Sequence, residues 1–224
     1  MRYELIGNIM PAVEVTLQQG EAMYTQSGAM AWMSDGFSTD TNIKGGLARG
    51  LGRMFTGESL FMATYTARKN DAKIAFASTV PGKIIPVSVD GAELICQKDA
   101  FLCAEPYVEL RTVFSKKFSS GLFGGEGFLL QELSGRGLAF LEADGDIVEK
   151  TLAPGEIIKV DTGNVVAFES HVHYEVETVK GFKNILFGGE GLFLTKLTGP
   201  GKVYLQTMNY HDFASKIVSM LPNK

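Results

Sequence analysis

Leu122-Phe123-Gly124-Gly125-Glu126-Gly127-Phe128-Leu129-Leu130 is followed, 64 residues later, by Leu186-Phe187-Gly188-Gly189-Glu190-Gly191-Leu192-Phe193-Leu194. A looser copy, Met54-Phe55-Thr56-Gly57-Glu58-Ser59-Leu60-Phe61-Met62, precedes the first by 68 residues. Self-similarity at a near-constant period is the signature of a repeated structural unit. A second motif keeps step with the first. Leu17-Gln18-Gln19-Gly20-Glu21 leads to Gly28 and the apolar run Ala29–Met33, and Leu152-Ala153-Pro154-Gly155-Glu156 leads to Gly163 and Val165–Phe168. The middle copy is degraded to Val89-Asp90-Gly91, then Asp99 and Ala100–Ala104. Asp99 to Gly125 and Gly163 to Gly189 both span 26 residues, while Gly28 to Gly57 spans 29 and leaves room for a small insertion. Two motifs holding a common spacing predict three units, at roughly 3–70, 71–135 and 136–208.

Within each unit the local signal is strand and turn. Lys83–Val89 and Lys202–Thr207 are rich in β-branched or aromatic residues with partial alternation. Ile157–Val160 and Val165–Phe168 flank Asp161-Thr162-Gly163-Asn164, which reads as a hairpin turn. Short apolar runs separated by Gly-rich turns predict an all-β chain of sandwich or barrel type, not β-α-β units. Two stretches depart from this pattern. Asn42–Met54 has helical spacing at Ile43, Leu47, Leu51 and Met54, but its four glycines reduce it to a loop or frayed turn. Phe213, Ile217, Met220 and Leu221 form one apolar face behind a cap at Asn209 or Asp212, predicting a short C-terminal helix at about 210–221 that covers an open sheet edge.

The composition sets outer bounds. A chain of 224 residues, 45% hydrophobic and 21% charged, can bury a substantial core as one domain spanning 1–224. A net charge of −4 gives no overall basic footprint for nucleic acid or anionic lipid. No apolar run approaches the roughly 18 residues of a membrane span, and the first residues carry polar groups where a signal peptide needs an apolar stretch. Cys96 and Cys103 lack a C-x-x-C spacing and sit among Ile95, Phe101 and Leu102, so they read as buried, reduced thiols of a cytoplasmic protein.

The Gly-Gly-Glu-Gly pair, the Leu197-Thr198-Gly199-Pro200-Gly201-Lys202-Val203-Tyr204-Leu205-Gln206 stretch, Ser27–Met30 and the Gly-rich 45–58 segment together resemble the altered-inheritance-of-mitochondria protein twenty-four family, in order and over nearly the whole chain. The resemblance implies a double-stranded β-helix fold like that of the tryptophan RNA-binding attenuation protein, assembled as a homotrimer. Eukaryotic relatives are linked to mitochondrial inner-membrane organisation. The bacterial type, which this chain resembles, has no established activity, and the family supplies no catalytic residues or cofactor.

The residues themselves offer few chemical centres. Glycines around a Glu let the backbone take positive φ or a bulge as it enters a strand. A phosphate cradle would need a following helix and a Lys with Ser or Thr. Gly57, Glu58, Gly125, Glu126, Gly189 and Glu190 are therefore expected at contacts between units or subunits. His171-Val172-His173 with Glu175 and Glu177 is the most metal-like cluster, resembling the cupin H-x-H. The Gly-rich cupin motif that should follow it instead precedes it, and lacks its own histidine. No G-x-S-x-G elbow or S-x-x-K pair is present. Asp144/Asp146 and Glu132/Glu142 flank Gly-rich turns and read as solvated carboxylates. Phe114-Ser115-Lys116-Lys117-Phe118, Arg68/Lys69 and Lys44/Arg49/Arg53 are the basic clusters, and exposed strand lysines account for them better than base stacking. The expectation is a non-enzymatic homo-oligomeric scaffold or binding protein, a homotrimer or larger ring. The alternatives are a small-molecule or RNA binder using inter-subunit clefts, and a cupin-like metalloenzyme at His171/His173.

Overall fold

Alternation of buried and exposed side chains sets the strands. In 82–90, for example, Val87 and Val89 are buried while Pro86, Ser88 and Asp90 face solvent. Among the described residues this strand has a partner on one side only, an edge position that tolerates Pro86. A computed structural model describes residues 1–26, 28–41, 62–116, 128–178 and 193–220. Among the described residues the chain forms antiparallel sheets and one short C-terminal helix.

The first stretch of chain holds β1 (Arg2–Ile6), β2 (Ala12–Leu17), β3 (Ala22–Gln26), β4 (Met30–Met33), β5 (Phe37–Asp40), β6 (Met62–Ala67) and β7 (Ala72–Ala77). The second holds β8 (Gly82–Asp90), β9 (Leu94–Gln97), β10 (Phe101–Ala104), β11 (Val108–Lys116) and the 17-residue β12 (Phe128–Asp144). The third holds β13 (Ile147–Leu152), β14 (Ile157–Asp161), β15 (Val165–Glu169), β16 (His173–Thr178), β17 (Phe193–Thr198) and β18 (Gly201–Gln206), followed by α1 (Tyr210–Ser219).

One pairing scheme runs through all three stretches. β2 and β4 flank β7, while β3 and β5 flank β6. β13 and β15 flank β18, while β14 and β16 flank β17. In the middle stretch β12 takes both roles: β8 and β10 flank its C-terminal half, β9 and β11 its N-terminal half. The register slips at the same point in each, between Met30 and Trp32, between Phe101 and Cys103, and between Val165 and Ala167. The two halves of β12 meet at Gly135-Arg136-Gly137. Gly135 has φ +91°, and a Cβ there would lie 2.4 Å from the Tyr107 carbonyl oxygen, so only glycine fits.

Adjacent stretches are joined by strand pairing. β3 pairs β10 through Thr25↔Cys103 and Tyr24↔Ala104, and β9 pairs β15 through Cys96↔Ala167 and Ile95↔Phe168. The Tyr24 hydroxyl reinforces the first junction by donating to the Val108 carbonyl at 3.0 Å. Three apolar clusters fill the interior. The first draws on β2, β3, β6 and β7 (Val13, Met23, Tyr65, Phe76), the second on β8 to β12 (Val89, Phe101, Leu133, Leu141) and the third on β14 to β18 and their surroundings (Leu152, Phe168, Leu197, Val203).

Two sequence expectations need correction. Ile157–Val160 and Val165–Phe168 do not form a hairpin: β14 pairs β17, whereas β15 pairs β18 and β9. A 3₁₀ turn at Thr162–Asn164, with the Asp161 carboxylate accepting from the Gly163 N–H at 3.0 Å, turns the chain so that the next strand bonds elsewhere. The middle stretch does the same at Lys98–Ala100. The helix, for its part, covers no edge. It begins at the expected cap, where Asn209 accepts from the His211 and Asp212 N–H groups, yet none of its residues is buried and Phe213, Ile217 and Met220 stay exposed.

Candidate functional site

The register that aligns the three stretches also assembles a cavity. Met30↔Phe76, Phe101↔Leu141 and Val165↔Leu205 are matching pairs, and the next residues along the partner strands are Ala77, Glu142 and Gln206. All three line one cavity of about 410 Å³. Gln26 and Gln97, the last residues of β3 and β9, line it as well, together with Gly28, Asp99 and Gly163 from the corresponding turns. The start of the helix, Tyr210 and His211, completes the wall.

A hydrogen-bonded clasp fixes the third stretch against the second. Gln206 accepts from the Asp144 N–H at 2.8 Å through Oε1 and donates to the Gly163 carbonyl at 2.8 Å through Nε2. Asn164 Nδ2 donates to the Gln206 carbonyl at 2.8 Å, and the Tyr210 N–H donates to Asp144 Oδ2 at 3.0 Å. Gly163 must be glycine here, since a Cβ would fall 1.9 Å from Asn209 Nδ2.

Within this frame Glu142 is a part-buried acid. Burial pushes its carboxyl up to about 7, and repulsion from Asp144 and Asp99 adds to the effect; hydrogen bonds from Ser78 and the Thr79 backbone oppose it without cancelling it. The Ser78 hydroxyl lies 2.6 Å from Glu142 Oε2 and 3.0 Å from the Val80 carbonyl oxygen. One hydroxyl proton cannot serve two acceptors. A protonated Glu142 resolves this by donating to Ser78 Oγ while Ser78 donates to Val80. Burial also raises the Asp144 carboxyl, against the Tyr210 N–H, with Asp99 adding repulsion and His211 attraction. The expectation that these are solvated turn carboxylates therefore fails for Glu142. It also fails for Glu132, which is buried and takes Arg111 at 2.7 Å across the β11–β12 ladder.

Two carboxamides on the cavity wall lack partners. Gln97 is 8% exposed and its side chain makes no hydrogen bond to a described residue, and Gln26 Nε2 is buried with none. Among the described residues the lining holds three acids, Asp99, Glu142 and Asp144, one histidine and no Lys or Arg. Sequence reading missed this site because its residues come from three widely separated segments. The matched turns at Gly28, Asp99 and Gly163 were the signal that could have found it.

The sites singled out from sequence lie elsewhere. His171 sits in the turn before β16 and His173 opens that strand, with buried Val172 between them. His171 Nε2 lies 3.4 Å from Glu169 and His173 Nε2 3.7 Å from Glu175, so each imidazole faces its own carboxylate. Among the described residues no group of three His, Cys, Asp or Glu is arranged to hold a metal ion. Glu175 and Glu177 instead pair with Lys196 and Lys159 across the β14–β17–β16 sheet. Gly57, Glu58, Gly125, Glu126, Gly189 and Glu190 lie outside the described residues, as do Lys44, Arg49, Arg53, Lys117 and Phe118. Cys96 and Cys103 are free and fully buried, and burial pushes the Cys96 thiol up to about 12 and Cys103 well above its usual value. Among the described residues no helix is long and apolar enough to cross a membrane.

Comparison with known proteins agrees over nearly the full length. A family model described as mitochondrial biogenesis AIM24 matches residues 3–208. An uncharacterized protein of Streptococcus pyogenes serotype M6 is 29% identical over 220 residues, covering 95% of this chain and 87% of that one. A crystal structure of a Streptococcus pyogenes protein superposes with a TM-score of 0.78 at 26% identity, covering 98% of this chain and 99% of the other.

Proposed function

The chain belongs to the mitochondrial biogenesis AIM24 family, and from that premise we propose that it is a non-enzymatic homo-oligomeric scaffold or binding protein whose copies join head to tail through strand edges. The observation that carries this reading is a pair of unmatched edges. Inside the chain, β3 pairs with β10 of the next stretch and β9 with β15 of the one after, in a single register: Thr25↔Cys103 at one junction, Cys96↔Ala167 at the other. Carried one step further, that rule pairs β14 of the last stretch with β4 of the first, through Val160↔Trp32 and Lys159↔Met33. Within the described chain β14 pairs only β17 and β4 only β7. Their exposed residues include Trp32 at 46%, Met33 at 41% and Ile157 at 51%. Open edges with apolar side chains are templates for pairing with another chain. A head-to-tail contact of this kind closes into a ring when the rotation permits, which fits a homotrimer or a larger ring.

The same pairings support a threefold duplication of one small β-sandwich unit, of the double-stranded β-helix kind seen in the tryptophan RNA-binding attenuation protein. Unit limits near 12–77, 82–144 and 147–206 suit the pairings better than 3–70, 71–135 and 136–208. Gly57, Gly125 and Gly189 each lie five residues ahead of Met62, Leu130 and Leu194, which pair with Gln26, Gln97 and Asp161 in turn. Glu58, Glu126 and Glu190 enter this reading as contacts between units or copies. The buried, high-pKa thiols fit a cytoplasmic setting.

Native mass spectrometry tests the proposal. The wild type is expected to run as a trimer or larger closed oligomer, and Ile157→Lys, placing a charge on the open edge, is expected to shift it to monomer with its melting temperature otherwise retained. A monomeric wild type overturns the reading.

A further inference from the structure

We propose that the cavity between the three stretches binds a small organic cation, a primary ammonium carried on a compact apolar body. Three independent features of the cavity point there. Its charge is one-sided among the described residues, with Asp99, Glu142 and Asp144 in the lining and no described Lys or Arg beside them. Its volume of about 410 Å³ suits a small molecule, and Ala29, Ala77, Val80, Ala100 and Phe101 offer an apolar wall for the body of the ligand. Its polar groups are unfinished, because the Gln97 carboxamide, 8% exposed, makes no hydrogen bond to a described residue and keeps Oε1 to accept one. Buried polar groups without partners are rare in folded proteins and mark places where a ligand completes the bonding.

Glu142 strengthens the case through what it does to the fold. A part-buried carboxyl beside two others works against folding at neutral pH, whereas glutamine would keep the hydrogen bond to Ser78 without the charge. An ammonium ion reverses that balance. It supplies the opposite charge to Glu142 and Asp144 and donates protons to Gln97 Oε1 and to Glu142, whose carboxylate still accepts from the Ser78 hydroxyl. A divalent metal is a poorer match, since no three of the described ligating groups converge. The groups facing Glu142 are Ser78 and the Thr79 N–H after β7, Asp144 on β12 and Asp99 in the turn after β9; His211 on the helix faces Asp144.

The test uses three probes of one shape: benzylamine, benzyl alcohol and benzoate, each titrated calorimetrically into the full-length protein at pH 8. Benzylamine is expected to bind saturably with a submillimolar Kd, benzyl alcohol at least tenfold more weakly, and benzoate not at all. Glu142→Gln, checked for folding by its melting temperature, is expected to lose about tenfold in benzylamine affinity. It should also lose the tightening that the wild type shows between pH 6 and pH 8. Gln97→Ala tests the carboxamide, with a severalfold loss expected. Failure of benzylamine to saturate, equal binding of the alcohol, or an unchanged affinity in folded Glu142→Gln overturns the proposal.

Discussion

Replacing Glu142 by Gln should stabilise this protein, and only above mildly acidic pH. Glu142 sits in the cavity wall with a carboxyl raised from 4.5 to about 7, chiefly by burial. Below pH 4.5 the carboxyl is protonated in both folded and unfolded chains and contributes no pH dependence. Between 4.5 and 7 the unfolded chain releases its proton while the folded chain holds on, so stability falls as pH rises. Above 7 both are ionised, and the full burden of a part-buried charge is present. A shift from 4.5 to about 7 corresponds to about 3 kcal/mol at 1.36 kcal/mol per unit. Glutamine keeps both hydrogen-bonding functions toward Ser78 and never ionises. The assay is urea unfolding from pH 4 to pH 9 at fixed protomer concentration, since assembly couples stability to concentration. The variant should match the wild type near pH 4 and exceed it by up to about 3 kcal/mol at pH 8 to 9. Parallel stability curves for the two proteins, or a wild type more stable than the variant at pH 8, would refute the reasoning.

Other outcomes follow from single contacts. Tyr24→Phe removes the hydroxyl bonded to the Val108 carbonyl across the first junction and should destabilise by about 1 kcal/mol in the same unfolding assay. Gly135→Ala puts a Cβ 2.4 Å from the Tyr107 oxygen at φ +91° and should destabilise by about 3 kcal/mol or more, read as a fall in urea midpoint at constant slope. Cys96 and Cys103 should stay unmodified by a thiol reagent at pH 8 in the native state and react on unfolding, because both are fully buried with raised thiols.

The all-β class was legible because short apolar runs alternate with Gly-rich turns, and the residues aligned on Gly28, Asp99 and Gly163 fall beside strands that share a pairing register. Strand partners were not legible. A turn such as Asp161–Asn164 has hairpin chemistry, yet the 3₁₀ geometry and the register slip after Val165 send the following strand to β18 and β9. Local turn preference says that the chain reverses, but it does not say which backbone groups the next strand will meet. The helix cap at Asn209 was readable, because capping is local. Its apolar face misled, because amphipathic spacing shows that a face exists and not that anything lies against it. The cavity was invisible for a related reason. Gln26, Gln97, Glu142 and Gln206 look like ordinary polar residues at strand ends, and only the register brings them to one wall. The histidines drew attention as a compact pattern, yet the turn at His171 and the buried Val172 leave each ring beside a different glutamate.

The head-to-tail contact can be measured directly. Met33→Cys with Lys159→Cys places one thiol on each unmatched edge, at positions matching Ala104↔Tyr24 and Phe168↔Ile95 within the chain. Under mild oxidation, with the native thiols buried, disulfides are expected between residue 33 of one copy and residue 159 of another, seen as covalent oligomers on a denaturing gel that reduction returns to monomer. A folded variant that stays monomeric, or links only 33 to 33 and 159 to 159, would contradict it.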